Sequence, residues 1–130
     1  MILDTTFVID VWDGDPGALD RLELLDRERV QQQLSAMTLF ELHYGVALSE
    51  KPREERRRVL DVVESKVVLP ATGPVMSKAG RLHGRLRHAG RSIGESDCII
   101  AATAFVHEEP ILTRNVEHFE RVDDVDVREY

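Results

Sequence analysis

Cysteine occurs once, at Cys98. That excludes an intrachain disulfide framework and suits a reducing compartment, so the cytoplasm is the default expectation. Long apolar runs are missing too. The longest predominantly apolar stretch, Cys98 to Val106, falls far short of the ~20 residues of a membrane-spanning helix, and no membrane association is expected. There is no basic leader, and Asp4 interrupts the first apolar run, which speaks against a signal peptide. Lysine is scarce, with Lys51, Lys66 and Lys78 set against fourteen arginines. The formal net charge of -7 argues against a broad nucleic-acid surface, because nonspecific binding depends on neutralising phosphates. No linker, repeat or low-complexity segment divides the 130 residues, a length that fits one domain over residues 1–130 with a real core.

What is present is globular: 42% hydrophobic and 32% charged content is not that of a disordered chain. Strand and helix patterns alternate. Met1 to Asp4 predicts a short strand and Thr6 to Trp12 a short helix. "DGDPG" (Asp13 to Gly17) is turn chemistry. Ala18 to Arg29 is helical, Gln33 to Met37 a strand, Thr38 to Leu48 a helix, and Pro52 opens another helix through "PREERRRVLDVVES". Lys66 to Leu69 is a strand closed by Pro70. Val75, Ala79, Leu82, Leu86 and Ala89 then step along one face of a long amphipathic helix, with Gly90 placed to cap it. "ESDCIIAATAFVHEE" predicts a buried helix, "PILT" a strand, "NVEHFERV" a short helix and "VDVRE" a last strand. Such alternation predicts an α/β fold, a parallel sheet with helices on both faces.

Open α/β sheets bind ligands beyond the carboxyl ends of their strands. Asp4, Glu41 and Asn115 fall at strand-to-helix junctions there. Asp97 begins the buried helix and follows a helix and a loop, so topology alone does not bring it to that edge. Capping explains each residue about as well as chemistry does, since acids and Asn suit helix N-termini. Thr38-x-x-Glu41 and Ser92-x-x-Glu95 are both capping-box patterns, and Asn115 fits an N-cap. Against capping alone stands Gly45, one turn beyond Glu41 on the same face. A glycine there weakens a helix and calls for a packing or access reason. Ala101, Ala102 and Ala104 let the buried helix pack close to the sheet and press Asp97 toward Asp4. Carboxylates sharing a pocket need raised pKa values or a divalent cation. Mg²⁺ and Mn²⁺ take hard oxygen ligands, and such a site suits phosphodiester hydrolysis.

Four stretches together, "ILDTTFVID" with Asp4, "TLFELHYGV" with Glu41, "DCIIAATA" with Asp97 and "ILTRNVEHFERV" with Asn115, resemble the PIN domain. More narrowly, they resemble the VapC-type toxin ribonucleases of toxin–antitoxin pairs. The resemblance spans nearly the whole chain. It implies a three-layer α/β/α sandwich around a central parallel sheet. It also implies Mg²⁺- or Mn²⁺-dependent cleavage of RNA, a homodimer, and a VapB-type antitoxin partner. By position, Asp4 and Asp97 become the principal metal ligands, with Glu41 the third acid, binding metal or orienting water. Asn115 takes the fourth catalytic position, and Thr5 and Thr113 are the hydroxyls beside the pocket. Many relatives carry an acid at Asn115 and Asp at His118. Asn coordinates through its carbonyl oxygen but carries no charge and is no base, which leaves one metal or two open.

Arg81, Arg85 and His88 share a face opposite the apolar stripe. They form either a solvated face or a strip for RNA phosphates, and Arg114 borders the pocket as a further phosphate contact. The histidines show no metal-type spacing, and only His118 lies near the pocket, without a catalytic role assigned. Glu95 is at most a peripheral acid. Trp12 suits core or dimer packing, and Phe40, Tyr44 and Val46 suit either core or an antitoxin groove. Asp10 lies about 9 Å beyond Asp4 if helical, too far for one ligand shell, and is expected to be a solvated or capping acid. Two rival functions stand beside the nuclease. One is a catalytically inactive PIN scaffold that binds RNA or a protein. The other is a phosphoacceptor receiver domain, disfavoured because no acid follows "VVLPAT" and no lysine follows Lys78.

Overall fold

The computed structural model describes residues 1–130. In chain order the elements are β1 (Ile2–Leu3), α1 (Thr5–Trp12), α2 (Pro16–Arg27), β2 (Gln33–Ser35), α3 (Ala36–Leu48) and α4 (Pro52–Ser65). There follow β3 (Val67–Leu69), α5 (Gly73–His88), α6 (Glu95–His107), β4 (Ile111–Leu112), α7 (Val116–Phe119) and β5 (Val127–Arg128). The strands form one sheet in the order β3-β2-β1-β4-β5. Every pairing is parallel; Ile2 aligns with Gln33 on one side and Ile111 on the other.

The short strands show why both faces must be covered. Ile2 and Ile111 point into a core built mainly with α5, α6 and α7, which includes Leu82, Leu86, Ile100 and Phe119. Their neighbours Leu3 and Leu112 point the opposite way, into a core with Phe7, Val8, Ala18, Leu25, Leu42 and Val59 of α1 to α4. Successive strand residues face opposite sides, so an all-apolar strand demands helices above and below. The expected α/β/α sandwich is what forms. No helix is long and apolar enough to cross a membrane.

The expected stripe of α5 is buried at Val75, Ala79, Leu82 and Leu86, while Ala89 falls at the C-cap and is exposed. Gly90 takes φ +69° just beyond, where a side chain would be strained. Helices α2 and α3 start two residues earlier than expected. Ser35 Oγ accepts the Met37 N–H at 3.1 Å, so α3 begins at Ala36 and not at Thr38. Thr38 and Glu41 therefore make no capping box, and Glu41 lies in the second turn. Asp15 caps α2 through Ala18 N–H, with Pro16 at its start, two residues earlier than expected. Gly94, not Ser92, precedes α6, and the Ser92–Glu95 box does not form.

The direction of α6 decides where Asp97 goes. Ile2 N–H donates to the Pro110 carbonyl at 2.8 Å, so the turn after α6 lies beside the start of β1. With β4 parallel to β1, α6 must run back against the strands. Its first turn, carrying Asp97, then lies at the sheet's carboxyl edge.

Candidate active site

Asp4 stands immediately after β1, the central strand, and is buried, with 3% of its surface exposed. Both carboxylate oxygens are held. Oδ1 accepts the Thr5 N–H at 2.8 Å, capping α1. Oδ2 accepts the Thr6 hydroxyl at 2.8 Å and the Thr113 hydroxyl at 2.7 Å. Thr113 follows β4, the neighbouring strand, and its oxygen also accepts the Asn115 N–H at 2.9 Å. Three donors around one buried carboxylate favour its charged form.

Glu41 reaches the same edge from α3. Its Oε1 accepts the Thr5 hydroxyl at 2.9 Å, and Thr5 Oγ1 lies 3.0 Å from Thr38 Oγ1. A hydroxyl has one proton. With that of Thr5 given to the carboxylate, Thr38 is the donor of the threonine pair. Asp97, from α6, places Oδ2 2.9 Å from His118 Nδ1, and the Asn115 side-chain amide lies 2.7 Å from the same nitrogen.

The acids feel one another. Burial raises the pKa of Asp4, the Thr113, Thr6 and Thr5 hydrogen bonds oppose the rise, and the charge of Asp97 adds to it. Burial also raises Glu41, opposed by the Thr5 hydroxyl and reinforced by the charges of Asp4 and Asp97. The Cys98 thiol, buried and facing Asp97 and Glu95, is pushed up to about 11, which makes it an inert neighbour at neutral pH.

Asp4, Glu41, Asp97, Asn115, Thr5 and Thr113 are thus brought to one edge of the sheet, linked by hydrogen bonds directly or through His118. Arg81 and Arg85 are exposed on α5 and make no hydrogen bond or ion pair with these residues. Arg114 is otherwise engaged. It pairs with Asp15 at 2.8 Å and Asp10 at 3.4 Å, and its guanidinium stacks 5.2 Å from the Tyr130 ring. Asp10 is neither a solvated nor a capping acid, because it also accepts the Tyr130 hydroxyl at 2.6 Å. Thr6 and Thr38 belong to the site without having been assigned to it, and His118, expected only near it, contacts Asp97. The hydroxyl-rich run after Asp4 is the signal for Thr6; Thr38 is joined only by folding.

The donor set is hard oxygen, as Mg²⁺ and Mn²⁺ require, and two of its acids have raised pKa values in the absence of a cation. The groups fit such an ion chemically. As they stand, no three acidic, histidine or cysteine side chains close around a single point.

The PIN-domain family model matches residues 1–125. The chain belongs to the PIN-domain family. Among curated proteins similar to this PIN domain, Ribonuclease VapC19 of Mycobacterium tuberculosis is 35% identical over 119 residues, covering 91% of this chain and 90% of the relative. The tRNA(fMet)-specific endonuclease VapC of Shigella flexneri is 30% identical over 122 residues, or 93% and 90% of the two chains. Among solved structures, VapBC2 from Rickettsia felis bound to a promoter DNA fragment matches with a TM-score of 0.85. That match covers 99% of this chain and 97% of the other at 24% identity, which speaks for the fold. By its relatives this PIN domain is of the VapC ribonuclease type, a nuclease. The receiver-domain alternative is thereby excluded.

Proposed function

We propose that the protein is a divalent-metal-dependent endoribonuclease, the toxin of a VapBC-type pair, hydrolysing RNA phosphodiester bonds in the cytoplasm. The observation that carries this reading is the convergence of Asp4, Glu41 and Asp97 at the carboxyl edge of the sheet, linked through Thr5, Thr113, Asn115 and His118, with no Lys or Arg paired to any of them. An inactive scaffold has no need of three mutually repelling acids, two of them held by hydroxyl donors, and is not favoured.

Asp4 and Asp97 would hold the ion, Mg²⁺ or Mn²⁺, with Glu41 completing its shell or orienting the attacking water. When bound, the ion polarises a phosphoryl oxygen and eases deprotonation of water. Thr6 and Thr113 fix the Asp4 carboxylate, and Thr38 and Thr5 fix Glu41 in turn. Glu41, with its raised pKa, is suited to take a proton from the water as its oxygen adds to phosphorus and a phosphorus–ribose oxygen bond breaks. Asn115 offers its carbonyl oxygen or its amide to the phosphate, but no charge. Arg81 and Arg85, exposed and without ion pairs, are among the unpaired cations and would meet the RNA backbone. For Arg114 to join them it must leave Asp15 and Asp10.

Two apolar surfaces support the partners. Phe40, Tyr44 and Leu48, spaced four apart on α3, are 64%, 61% and 68% exposed, a face for a second copy in a homodimer. A groove lined by Phe7, Val8, Val11, Trp12, Leu22 and Val62 is concave and suits a slender segment of a VapB-type antitoxin. Val46 is half-buried and lines neither the groove nor the exposed row on α3.

The test is cleavage of a total tRNA pool with Mg²⁺ or Mn²⁺. Wild type is expected to cut it, and Asp4→Ala and Asp97→Asn to lose at least about a hundredfold while keeping the wild-type circular dichroism spectrum. Full activity in either variant, or in wild type with chelator, refutes the proposal.

A further inference from the structure

We propose that His118 is itself a ligand of the metal site, through Nδ1, and that it turns the site's preference from Mg²⁺ toward Mn²⁺ and similar transition ions. The inference rests on the metal-dependent reading above and goes beyond it. His118 Nδ1 lies 2.9 Å from Asp97 Oδ2 and 2.7 Å from the side-chain amide of Asn115. These two contacts compete for one proton. If the Asn115 NH₂ donates to Nδ1, no proton lies between Nδ1 and the Asp97 carboxylate. If Nδ1 carries a proton for Asp97, it faces the protons of the amide.

Turning the Asn115 amide over resolves the conflict in one of two ways. A proton on Nδ1 is then shared by Asp97 Oδ2 and Asn115 Oδ1; with the imidazole proton on Nε2 instead, lone pairs from Nδ1, Asp97 Oδ2 and Asn115 Oδ1 all face one cation. The spacing fits: two donors bound at about 2.1 Å and at right angles stand about 3.0 Å apart. The His118 side chain is 40% exposed and Asp97 21%, so solvent can deliver the ion and complete its shell with water. An imidazole nitrogen adds little for Mg²⁺, a hard cation that keeps oxygen ligands, and adds more for the transition ions.

The probes are Mn²⁺ and Mg²⁺ on the full chain. Mn²⁺ binding is followed by electron paramagnetic resonance with Mg²⁺ as competitor, and pulsed measurements on bound Mn²⁺ read coupling to an imidazole nitrogen. Wild type is expected to show that coupling. His118→Asp should abolish it and lower the Mn²⁺-over-Mg²⁺ preference by about tenfold. His118→Ala should abolish it too, with weaker binding of both ions. Mn²⁺ bound without nitrogen coupling, yet lost in Asp4→Ala, overturns the role of His118 and leaves the metal-dependent reading intact. A wild type that binds neither ion overturns both.

Discussion

Replacing Thr113 by valine removes one hydroxyl and almost no volume. Thr113 is fully buried, donates to Asp4 Oδ2 at 2.7 Å, and accepts the Asn115 N–H at 2.9 Å. A hydrogen bond to a buried charged group is worth roughly 1.5–3 kcal/mol, and the orphaned Asn115 amide, half-buried, adds a fraction more. The expected cost is therefore about 3 kcal/mol in the metal-free protein at pH 7.5. At ~2.1 cal/mol/K of unfolding entropy per residue, that lowers Tm by about 11 °C. Thr113→Ser keeps the hydroxyl and loses a methyl, so its cost should be near 1 kcal/mol.

The pH dependence separates the hydrogen bond from packing. Asp4 already has a raised folded-state pKa, and the Thr113 hydroxyl holds it down. Removing the hydroxyl raises it further. A carboxylate raised above its unfolded value weakens the fold as pH rises through the folded pKa, and it does so more in the variant. The gap between Thr113→Val and wild type is thus widest at pH 7.5 and narrows toward pH 4, as Asp4 takes up a proton. Urea denaturation of wild type, Thr113→Val and Thr113→Ser at both pH values, with chelator present, measures it. An equal gap at both pH values, or a serine variant as unstable as the valine one, refutes the role given to this hydroxyl.

Other expectations can be checked on the same protein. Glu41→Gln removes a repelled, half-buried carboxylate and keeps an acceptor for Thr5. It should stabilise the metal-free protein by up to about 1 kcal/mol at neutral pH, after allowance for solvent screening, with the gain vanishing toward pH 4. The same variant should bind Mn²⁺ more weakly in calorimetry and cleave RNA at least about tenfold more slowly. Gly45→Ala is expected to stabilise the monomer by about 0.8 kcal/mol in urea titration, because an added Cβ meets nothing within 4 Å. The packing reason sought for that glycine is absent within the chain. Phe40→Asp with Leu48→Asp should convert a dimer to a monomer in light scattering while keeping the wild-type circular dichroism spectrum.

Much of the fold is legible because its signals are local. Apolar pairs such as Ile2–Leu3 and Ile111–Leu112, buried on both faces, announce a parallel sheet, and the stripe from Val75 to Leu86 announces its helix. Helix starts are less legible where polar residues crowd. Ser35 and Thr38 both suit a cap, and only the end of β2, set by pairing with β3, decides for Ser35. Asp97 was recoverable by an argument the pattern permits. A helix joined by three residues to a parallel strand must begin at the sheet's carboxyl edge. His118 and Asp97, 21 residues apart, and Asp10 and Tyr130, 120 apart, meet through tertiary structure and leave no spacing to read.

The choice between cap and chemistry for Asp4 was a false one. An N-cap carboxylate sits where the helix's free amides and dipole favour negative charge, the same condition that keeps a buried metal ligand ionised. Asp4 uses Oδ1 for the Thr5 amide and still presents Oδ2 to two hydroxyls, so capping consumes one oxygen and orients the other. Glu41 shows the converse. It lies one turn inside α3, satisfies no free amide, and is held by a side chain from α1. Burial raises the pKa of Glu41, and the charges of Asp4 and Asp97 add to the rise, a setting that no helix cap requires. The acid that fails as a cap is therefore the better evidence that this edge is built to gather negative charge, and Asp4 gains its meaning from the company it keeps.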